Sequence, residues 1–385
     1  MTAPAAPRAS TASTAGAPAG APAGRPRTLA QAYDPRSNAF DLLRLVLAGT
    51  VAVTHVMQLA LGWQPTIGRT EVGGLAVDGF FVLSGFLITA SWLRLRSPGR
   101  FAWHRALRIL PGFWACLLVT AVVVAPLLAV LGGGSPAAVL TGPGSATTYV
   151  LHNAGLFMAQ FGIAGLPAST PDPVVNGSLW TLFYEALCYA AVAGLGVLGL
   201  LRHRPLLVVA GVAALQLATA AQEATGAQLL PGENLSRLLL LFALGAAAHL
   251  VADRVPVTPV VLAAAGASVV AGLLLLDDYR ALGAPGFALL LLATAARLPW
   301  RPRLRRDLSY GAYVWHWPVA LIVLSTPLAG APVVVVVLAV LAATALVALA
   351  SWHLVEAPAM RLKGVPSPLR RDPSGIPSGR RRLIG

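Results

Sequence analysis

The sequence predicts an all-α polytopic membrane protein, a bundle of about ten transmembrane helices. Of its 385 residues, 57% are hydrophobic and only 11% are charged, whereas about 25% of the residues in a soluble domain are charged. The apolar residues are gathered in runs that are long enough to span a bilayer as helices, which satisfy their own backbone hydrogen bonds in lipid. These two observations together exclude an ordinary soluble domain.

The predicted spans follow the apolar runs in order. They cover residues 40–62, 73–93, 108–131, 177–201, 205–221, 235–252, 257–276, 281–298, 308–326 and 332–355. A further run, 146–163, is shorter and contains the polar residues His152, Asn153 and Gln160. We expect a re-entrant or interfacial helix there, and a bundle of eleven spans is the alternative.

Arginines predict the orientation. The chain has 28 Lys and Arg against 14 Asp and Glu, and if 146–163 does not cross, the Arg-rich loops 94–108, 202–204 and 299–306 share one side with both basic termini. The other side holds Glu71, Glu223, Glu233, Asp277 and Asp278. By the positive-inside rule both termini are then cytoplasmic in the cell membrane. Because the arginines lie in short loops and tails beside the lipid bilayer, membrane orientation explains them better than nucleic-acid binding does.

The predicted membrane domain covers residues 36–362, between two tails. Residues 1–35 are rich in Ala, Pro, Gly, Ser and Thr and predict a disordered cytoplasmic tail without a signal peptide. Residues 363–385 predict a disordered basic tail that rests on anionic lipid. The two cysteines, Cys116 and Cys188, both fall in predicted helices, so neither a disulfide nor a metal site is expected.

Ionisable side chains share one face of the first span. Arg44 and His55 are eleven positions apart, which is about three turns and about 16 Å along a helix. Asp41 lies within about 40° of the same face. Each such group costs about 2.5–3.5 kcal/mol inside a membrane helix. Since histidine carries a proton near neutral pH, a catalytic role is the leading hypothesis and a salt-bridged structural stripe is the alternative.

Three later spans also carry polar candidates. Asp78 lies near the outer end of the second span, and Ser84 lies about two turns deeper. For Ser84, close helix packing is the alternative role. Glu185 lies near mid-membrane in the fourth span, where a carboxylate should pair with an arginine or be protonated. His316 lies at mid-depth in the ninth span, where a packed core histidine is the alternative.

Arg105 and Arg108 lie at the predicted cytoplasmic mouth of the third span. They are three positions apart and therefore lie on one helical face. A pair of guanidinium groups on one face suits a phosphate-rich ligand, and plain membrane anchoring is the alternative.

Six segments, in this order, resemble the membrane-bound acyltransferase-3 family over about residues 36–362. They are SNAFDLLRLVLAGTVAVTHV, VDGFFVLSGFLI, the R-x-x-R of Arg105 to Arg108 followed by ILP, NGSLWTLFYE, LSYGAYVWHWPV and HLVEAPAMRL. The chain differs from the family pattern in its N-terminal tail, and we expect no appended hydrolase-like domain of the kind that some members carry after the last span. We therefore expect no second transfer step in such a domain.

The resemblance implies transfer of an acyl group, usually acetyl, from cytoplasmic acyl-coenzyme A to a hydroxyl of a sugar or sugar-containing acceptor. His55 would be the acyl-transfer histidine, and Arg44 would be its motif partner. Arg105 and Arg108 would hold the phosphates of coenzyme A. Glu185 falls on the family's glutamate after the Ser-Leu-Trp run. No metal is implied.

We add Asp41 and Asp78 to the candidate catalytic set, and Ser84 and His316 to the candidate donor site. Two mechanisms remain open, in which His55 is a general base on the acceptor or takes the acyl group covalently. A transporter or flippase for a glycolipid or polysaccharide unit is the rival function. A receptor or scaffold without catalysis would not need these buried charges. The acceptor, a cell-surface glycan or a glycosylated small molecule, stays open, as does the donor chain length.

Overall fold

The computed structural model describes residues 27–95, 97–168, 173–300 and 306–364. Helices dominate these residues. In chain order they are α1 (Leu29–Ala32), α2 (Phe40–Leu61), α3 (Val72–Leu95), α4 (Pro98–Val119), α5 (Ala125–Leu131), α6 (Ala146–Asn153), α7 (Thr181–Val197), α8 (Leu200–His203), α9 (Pro205–Thr225), α10 (Glu233–Leu250), α11 (Pro259–Leu275), α12 (Arg280–Arg297), α13 (Ser309–Leu324), α14 (Val333–Ser351) and α15 (Ala357–Arg361). Each of the ten apolar runs contains one of these helices.

Short irregular elements join several helices. A π-helical turn, Thr120–Val124, connects α4 to α5, and a second, Trp352–Glu356, connects α14 to α15. A hairpin of two-residue strands, β1 (Thr66–Ile67) and β2 (Thr70–Glu71), precedes α3 and adds a little antiparallel sheet to the predicted all-α class.

The helices confirm a polytopic membrane protein. Within the part of the chain that the structure describes, five helical stretches are long and apolar enough to cross a bilayer, namely Phe40–Leu61, Val72–Leu95, Pro98–Leu131, Pro205–Thr225 and Val333–Gly364. The apolar helices α7 and α11 are shorter. The total of ten spans therefore stays a prediction.

The run 146–163 folds back on itself. Its helix α6 has eight residues, so it is about 12 Å long and much shorter than a hydrocarbon core of about 30 Å. The Ala164 amide donates to the Gly144 carbonyl at 2.7 Å, so the two ends of the run meet. Trp114 on α4 donates to the Ala154 carbonyl at 3.0 Å. This geometry favours the prediction that the run does not cross.

The structure describes the end of the predicted N-terminal tail. Residues 29–32 form the short helix α1, and Thr28 and Gln31 form a reciprocal capping box at its start. Leu29 is buried, and its amide donates to the Val255 carbonyl at 2.9 Å. The boundary at residue 35 stays a prediction, and burial of Leu29 favours an ordered segment just before it. Residues 1–26 and 365–385, which make up most of the two predicted tails, lie outside the described residues.

Helix α3 is the most buried of the long helices and packs closely on α10. A Cβ added at Gly85 of α3 would lie 1.9 Å from the Phe242 carbonyl oxygen, and one added at Gly245 of α10 would lie 2.1 Å from the Val82 carbonyl oxygen. The two backbones therefore touch where both helices carry glycine. Helix α2 packs against α3 and α13, so these three helices enclose the centre of the bundle.

Helix α13 contains Pro318, which has no backbone N–H, so the Val314 carbonyl lacks its usual helical donor. Asn176, fully buried before α7, donates to this carbonyl through Nδ2 at 3.0 Å. The Cys116 thiol of α4 donates to the same oxygen at 3.2 Å. The proline thus creates an acceptor that ties α13 to α4 and to the start of α7.

Candidate active site

Two histidines from distant parts of the chain form a pair in the bundle. His55 Nδ1 on α2 lies 2.8 Å from His316 Nε2 on α13, and the stacked rings have centroids 5.0 Å apart. His316 is fully buried, and its Nδ1 lies 3.2 Å from the Ala312 carbonyl oxygen. The sequence predicted both histidines as candidates, and the structure brings them into direct contact.

The carbonyl of Ala312 assigns the protons of this pair. A carbonyl only accepts, so His316 Nδ1 carries the hydrogen, and the neutral ring accepts at Nε2. His55 then donates from Nδ1 and keeps a lone pair on Nε2. That nitrogen is able to take a proton or to attack a carbonyl carbon.

Trp317 holds the His55 ring from the side. Its ring meets the His55 ring edge to face at a centroid distance of 4.8 Å, and its Nε1 donates to the Val174 carbonyl at 3.0 Å. A Cβ added at Gly177 would lie 2.5 Å from the Trp317 ring, so only glycine leaves room for the indole. The Asn-Gly before α7 therefore helps to orient the aromatic segment of α13.

At the predicted cytoplasmic mouth, Asp307 lies between two of the predicted arginines. Its Oδ2 accepts a hydrogen bond from Arg108 Nη2 and lies 4.0 Å from Arg44 Nη1. Its Oδ1 accepts from the Ser309 hydroxyl at 2.6 Å. Asp41, one turn before Arg44, is exposed. Sequence reasoning missed Asp307, although it stands just before the LSYGAYVWHWPV segment.

Burial raises the pKa of Asp307, but the Arg108 and Arg44 guanidiniums and the hydrogen bonds from Ser309 lower it more. The net result is a pKa well below the usual range for an aspartate, so the carboxylate stays ionised at neutral pH. Because the folded-state pKa is depressed, the stabilisation is present above the usual aspartate pKa. It is lost only when the pH falls through the lower folded value.

The two arginines of the R-x-x-R have different partners. Arg108 is bound to Asp307, and its Nη1 lies 3.9 Å from Glu356 Oε2, a carboxylate buried at the π-helical turn after α14. The Arg105 guanidinium lies 5.9 Å from the ring centroids of Phe101 and Tyr189. Among the described residues, no carboxylate forms an ion pair with Arg105. Arg105 is therefore the arginine of the pair that is available to an anionic ligand.

Ser84 and Glu185 meet between α3 and α7. The Ser84 hydroxyl donates to Glu185 Oε1 at 3.2 Å, and the Tyr189 hydroxyl donates to the same oxygen at 2.6 Å. Two candidates that the sequence placed in separate spans are thus one hydrogen-bonded group. In the described residues Glu185 forms no ion pair with an arginine.

A small cavity of about 40 Å³ connects these groups, with room for a few water molecules. Its walls include Arg44, Ser84, Glu185, Tyr310 and Tyr313. The Tyr313 hydroxyl shares a 2.7 Å hydrogen bond with Thr181, and the Tyr313 ring lies 6.2 Å from the His316 ring. Polar side chains therefore line the interior from Arg44 towards the histidine pair.

Asp78 belongs to a different cluster. This fully buried carboxylate binds Arg237 Nε at 2.8 Å, Arg280 Nη2 at 2.7 Å and the Tyr279 hydroxyl at 2.9 Å. Among the described residues, no hydrogen bond or ion pair joins Asp78 to His55. Sequence reasoning recognised neither arginine as its partner, because both stand near helix ends in predicted outer segments.

Within the described residues, no group of three or more His, Cys, Asp or Glu side chains could hold a metal ion. The polar groups of the site are instead a histidine pair and the charged mouth around Asp307. Fold and site together define a multi-pass membrane protein with a buried polar centre.

Comparison with known proteins gives the family. Residues 37–352 match the model of the acyltransferase domain of the acyltransferase 3 type, so this chain belongs to that family of membrane acyltransferases. It is similar to an O-acetyl transferase of Shigella phage Sf6, with 32% identity over 45% of this chain and 50% of the relative. The chain thus spans about half the length of that relative.

Two rhizobial proteins are similar as well. Nodulation protein 10 of Rhizobium leguminosarum bv. viciae is 30% identical over 85% of this chain and 94% of its own length. The exopolysaccharide production protein ExoZ of Rhizobium meliloti is 40% identical over 32% of this chain and 34% of its own length. No solved structure gives a significant match. The predicted family and the acyltransferase class are confirmed.

Proposed function

We propose that this protein transfers an acetyl group from cytoplasmic acetyl-coenzyme A to a hydroxyl of a sugar or sugar-containing acceptor, such as a cell-surface glycan or a glycosylated small molecule. The observation that carries the proposal is the histidine pair, which leaves a lone pair on His55 Nε2. Similarity to an O-acetyl transferase supports acetyl as the group transferred. Similarity to an exopolysaccharide production protein supports a sugar-containing acceptor.

In the proposed reaction His55 acts as general base. Its Nε2 takes the proton of the acceptor hydroxyl while the hydroxyl oxygen attacks the thioester carbonyl. A carbon–oxygen ester bond forms and the carbon–sulfur bond breaks. The proton passes from His55 to the departing thiolate, which leaves as the free thiol of coenzyme A. His316 accepts the Nδ1–H of His55 throughout, and so stabilises the imidazolium and fixes its orientation.

The donor would enter at the mouth around Asp307. Arg105 has no carboxylate partner in the described residues and would hold a phosphate of coenzyme A, while Arg108 is anchored by Asp307. Arg44 and His55 are separated by about 16 Å along α2, and the cavity of about 40 Å³ that Arg44 lines would begin a route for the extended arm of the donor. Ser84 and Glu185 line this route.

We further propose ten spans, both termini cytoplasmic, and a re-entrant segment at 146–163. The meeting of Gly144 with Ala164 supports this, because a segment whose ends touch enters and leaves on one side. The Arg108 and Asp307 mouth then faces the cytoplasm, where coenzyme A is found, and His55 lies in the outer half of the membrane.

Purified protein in lipid nanodiscs tests the function. With acetyl-coenzyme A and a panel of glycan and glycoside acceptors, we expect thiol release and an acceptor of increased mass. His55→Ala should reduce the transfer rate by the roughly 10²–10⁴-fold typical of lost general-base catalysis. Peptide mass spectrometry of wild-type enzyme treated with donor alone should show no acetylated His55.

Three results would contradict the proposal. Transfer by His55→Ala within about threefold of wild type, far less than the loss expected for a general base, would remove His55 from the chemistry. Stable acetyl-His55 would replace direct transfer by a covalent route. Movement of a glycolipid across the bilayer without any thioester cleavage would favour the flippase alternative.

A further inference from the structure

A second, larger cavity of about 330 Å³ lies beside the Asp78 cluster, within the range of about 300–1,000 Å³ typical of ligand sites. Its charged walls are Arg69, Glu71, Glu233, Arg237, Asp278 and Arg280, with Asp277 at the edge. We propose that this outer pocket, defined by these residues, binds an uncharged sugar ring of the acceptor. The inference rests on the proposed function and names the site and charge class of its acceptor.

Ion pairs with the buried Asp78 carboxylate fix the two arginines of the outer pocket that lie on α10 and α12. Asp78 binds both Arg237 and Arg280, and Arg237 Nη2 also donates to the Gly74 carbonyl at 2.8 Å. The Arg280 guanidinium binds Asp278 at 2.8 Å through Nη1. Each arginine is therefore fixed by at least two partners. Donors held in this way need no reordering when a ligand binds, which favours affinity.

The rim is fixed as well. The Glu223 carboxylate accepts hydrogen bonds from the backbone amides of Asp277 at 2.8 Å and Asp278 at 3.2 Å. Gln216 donates to the carbonyl oxygens of Arg280 and Ala281, both at 2.9 Å. The segment that leads into α12 is thus attached directly to α9, and both contribute lining residues to the outer pocket.

The lining suits hydroxyl groups. A hydroxyl both donates and accepts, a carboxylate only accepts, and a guanidinium only donates. The outer pocket places Glu71 and Glu233 near Arg237, and in the described residues neither glutamate forms an ion pair. A polyhydroxylated ring is therefore able to donate to these carboxylates and accept from the arginines.

The charge balance selects against anions. The walls and edge carry four carboxylates, Asp78 lies beneath them, and three arginines oppose these five acids. A phosphate or uronate would meet excess negative charge, because like charges at short range cost free energy. The outer pocket therefore favours a neutral ring, in contrast to the mouth around Asp307, where Arg105 is free to bind an anion.

Two glycines of α3 relate the outer pocket to the part of α2 that carries His55. Gly74 lines it, and a Cβ added at the preceding Gly73 would lie 2.6 Å from the Thr54 hydroxyl oxygen. Thr54 immediately precedes His55 on α2. A sugar in the outer pocket would thus lie near the end of α2 that bears His55, whereas Arg44 and the proposed donor mouth lie at the other end.

Saturation-transfer NMR on the full chain in nanodiscs tests the inference, since it detects weak sugar binding without turnover. The probes are methyl α-glucopyranoside, methyl β-galactopyranoside and the anionic methyl glucuronide. We expect at least one neutral glycoside to bind more tightly than the glucuronide. The Glu71→Ala, Glu233→Ala double variant should raise its dissociation constant by about tenfold or more, because it removes two charged hydrogen-bond acceptors for the sugar hydroxyls.

Two controls separate this inference from the proposed function. Asp253→Ala removes an exposed acid far from the outer pocket and should leave the dissociation constant unchanged. His55→Ala should abolish transfer but keep glycoside binding. Absence of binding by any neutral glycoside, a preference for the glucuronide, or equal binding by the double variant would overturn the inference. Failure of acetyl-coenzyme A cleavage in the wild type would instead contradict the proposed function, whatever the sugar result.

Discussion

At the scale of single residues, the arrangement that matters most is the contact of His55 with His316. Two neutral imidazoles in a row form a chain of hydrogen bonds from the Ala312 carbonyl to a free nitrogen on His55. The His55 ring is then the one able to accept a proton, and the His316 ring fixes the tautomer of His55. His316 is therefore assigned a positioning role in our proposal, in place of the donor-binding role expected from the sequence.

His316→Ala tests this role. The variant should lower kcat by at least about tenfold, less than the loss expected for His55→Ala, because the base remains but loses its orientation. The KM for acetyl-coenzyme A should stay the same. His316→Gln keeps an acceptor and should recover part of the rate. Equal kcat in wild type and His316→Ala, measured by thiol release, would contradict the positioning role.

Substitutions of Arg105 and of Arg108 should have different effects. Arg105→Ala should raise the KM for acetyl-coenzyme A by about tenfold while thermal stability is kept, because in the described residues this guanidinium packs near the Phe101 and Tyr189 rings and forms no ion pair with a carboxylate. Arg105→Lys should recover only part of the affinity, since lysine lacks the planar fork.

Arg108→Ala should instead destabilise the fold. Removing one partner of a buried ion pair costs about 3–5 kcal/mol, and Asp307 and Glu356 would be left facing each other. Thermal unfolding of both variants in detergent provides the measurement. An Arg108→Ala variant that unfolds at the wild-type temperature would contradict the structural role of Arg108. An unchanged KM in Arg105→Ala would contradict the donor-binding role of Arg105.

At the scale of helices, close backbone contacts set the geometry of the site. Pro318 frees an acceptor on α13 that Asn176 fills, and Gly177 makes room for Trp317. On the other side of the bundle, Gly85 and Gly245 let α3 and α10 touch. These contacts hold the helices that carry Ser84, Asp78 and His316.

Gly85→Ala should therefore destabilise the protein. The new methyl would overlap the Phe242 carbonyl oxygen, and such overpacking typically costs about 1–3 kcal/mol. Gly49→Ala on α2 is the matched control, since its Cβ would meet nothing within 4 Å. That control should be neutral or slightly stabilising, because alanine favours helix more than glycine does. Equal unfolding temperatures of the two variants would show that α3 and α10 do not pack this closely.

At the scale of the whole molecule, the proposed orientation rests on whether 146–163 crosses the bilayer. Single cysteines at Gly134, Gly226 and Asp253, in a background that lacks Cys116 and Cys188, can be labelled on intact cells with an impermeant thiol reagent. With ten spans, Gly134 and Gly226 should react and Asp253 should be protected. Labelling of Gly134 and Asp253 with protection of Gly226 would establish eleven spans.

The sequence by itself determined the membrane class, a helix in each apolar run, the family and several of the buried ionisable residues, among them Asp78 and His316. Hydrophobic length and segment order fix these features, since each membrane helix satisfies its own backbone and needs no partner to form. The Arg44 to His55 spacing and the Arg105 to Arg108 spacing were readable for the same reason, because both lie within one helix.

Only the tertiary structure decided which of these residues meet. His55 and His316 are 261 positions apart, and Asp307 reaches Arg108 across 199 positions. Side-chain pairing between helices depends on how the helices pack, and local periodicity carries no information about that. The same limit explains why Arg237 and Arg280 were not recognised as partners of Asp78, and why the outer pocket could not be predicted. Each helix forms on its own, but the charges that they bury find partners only after the bundle has assembled.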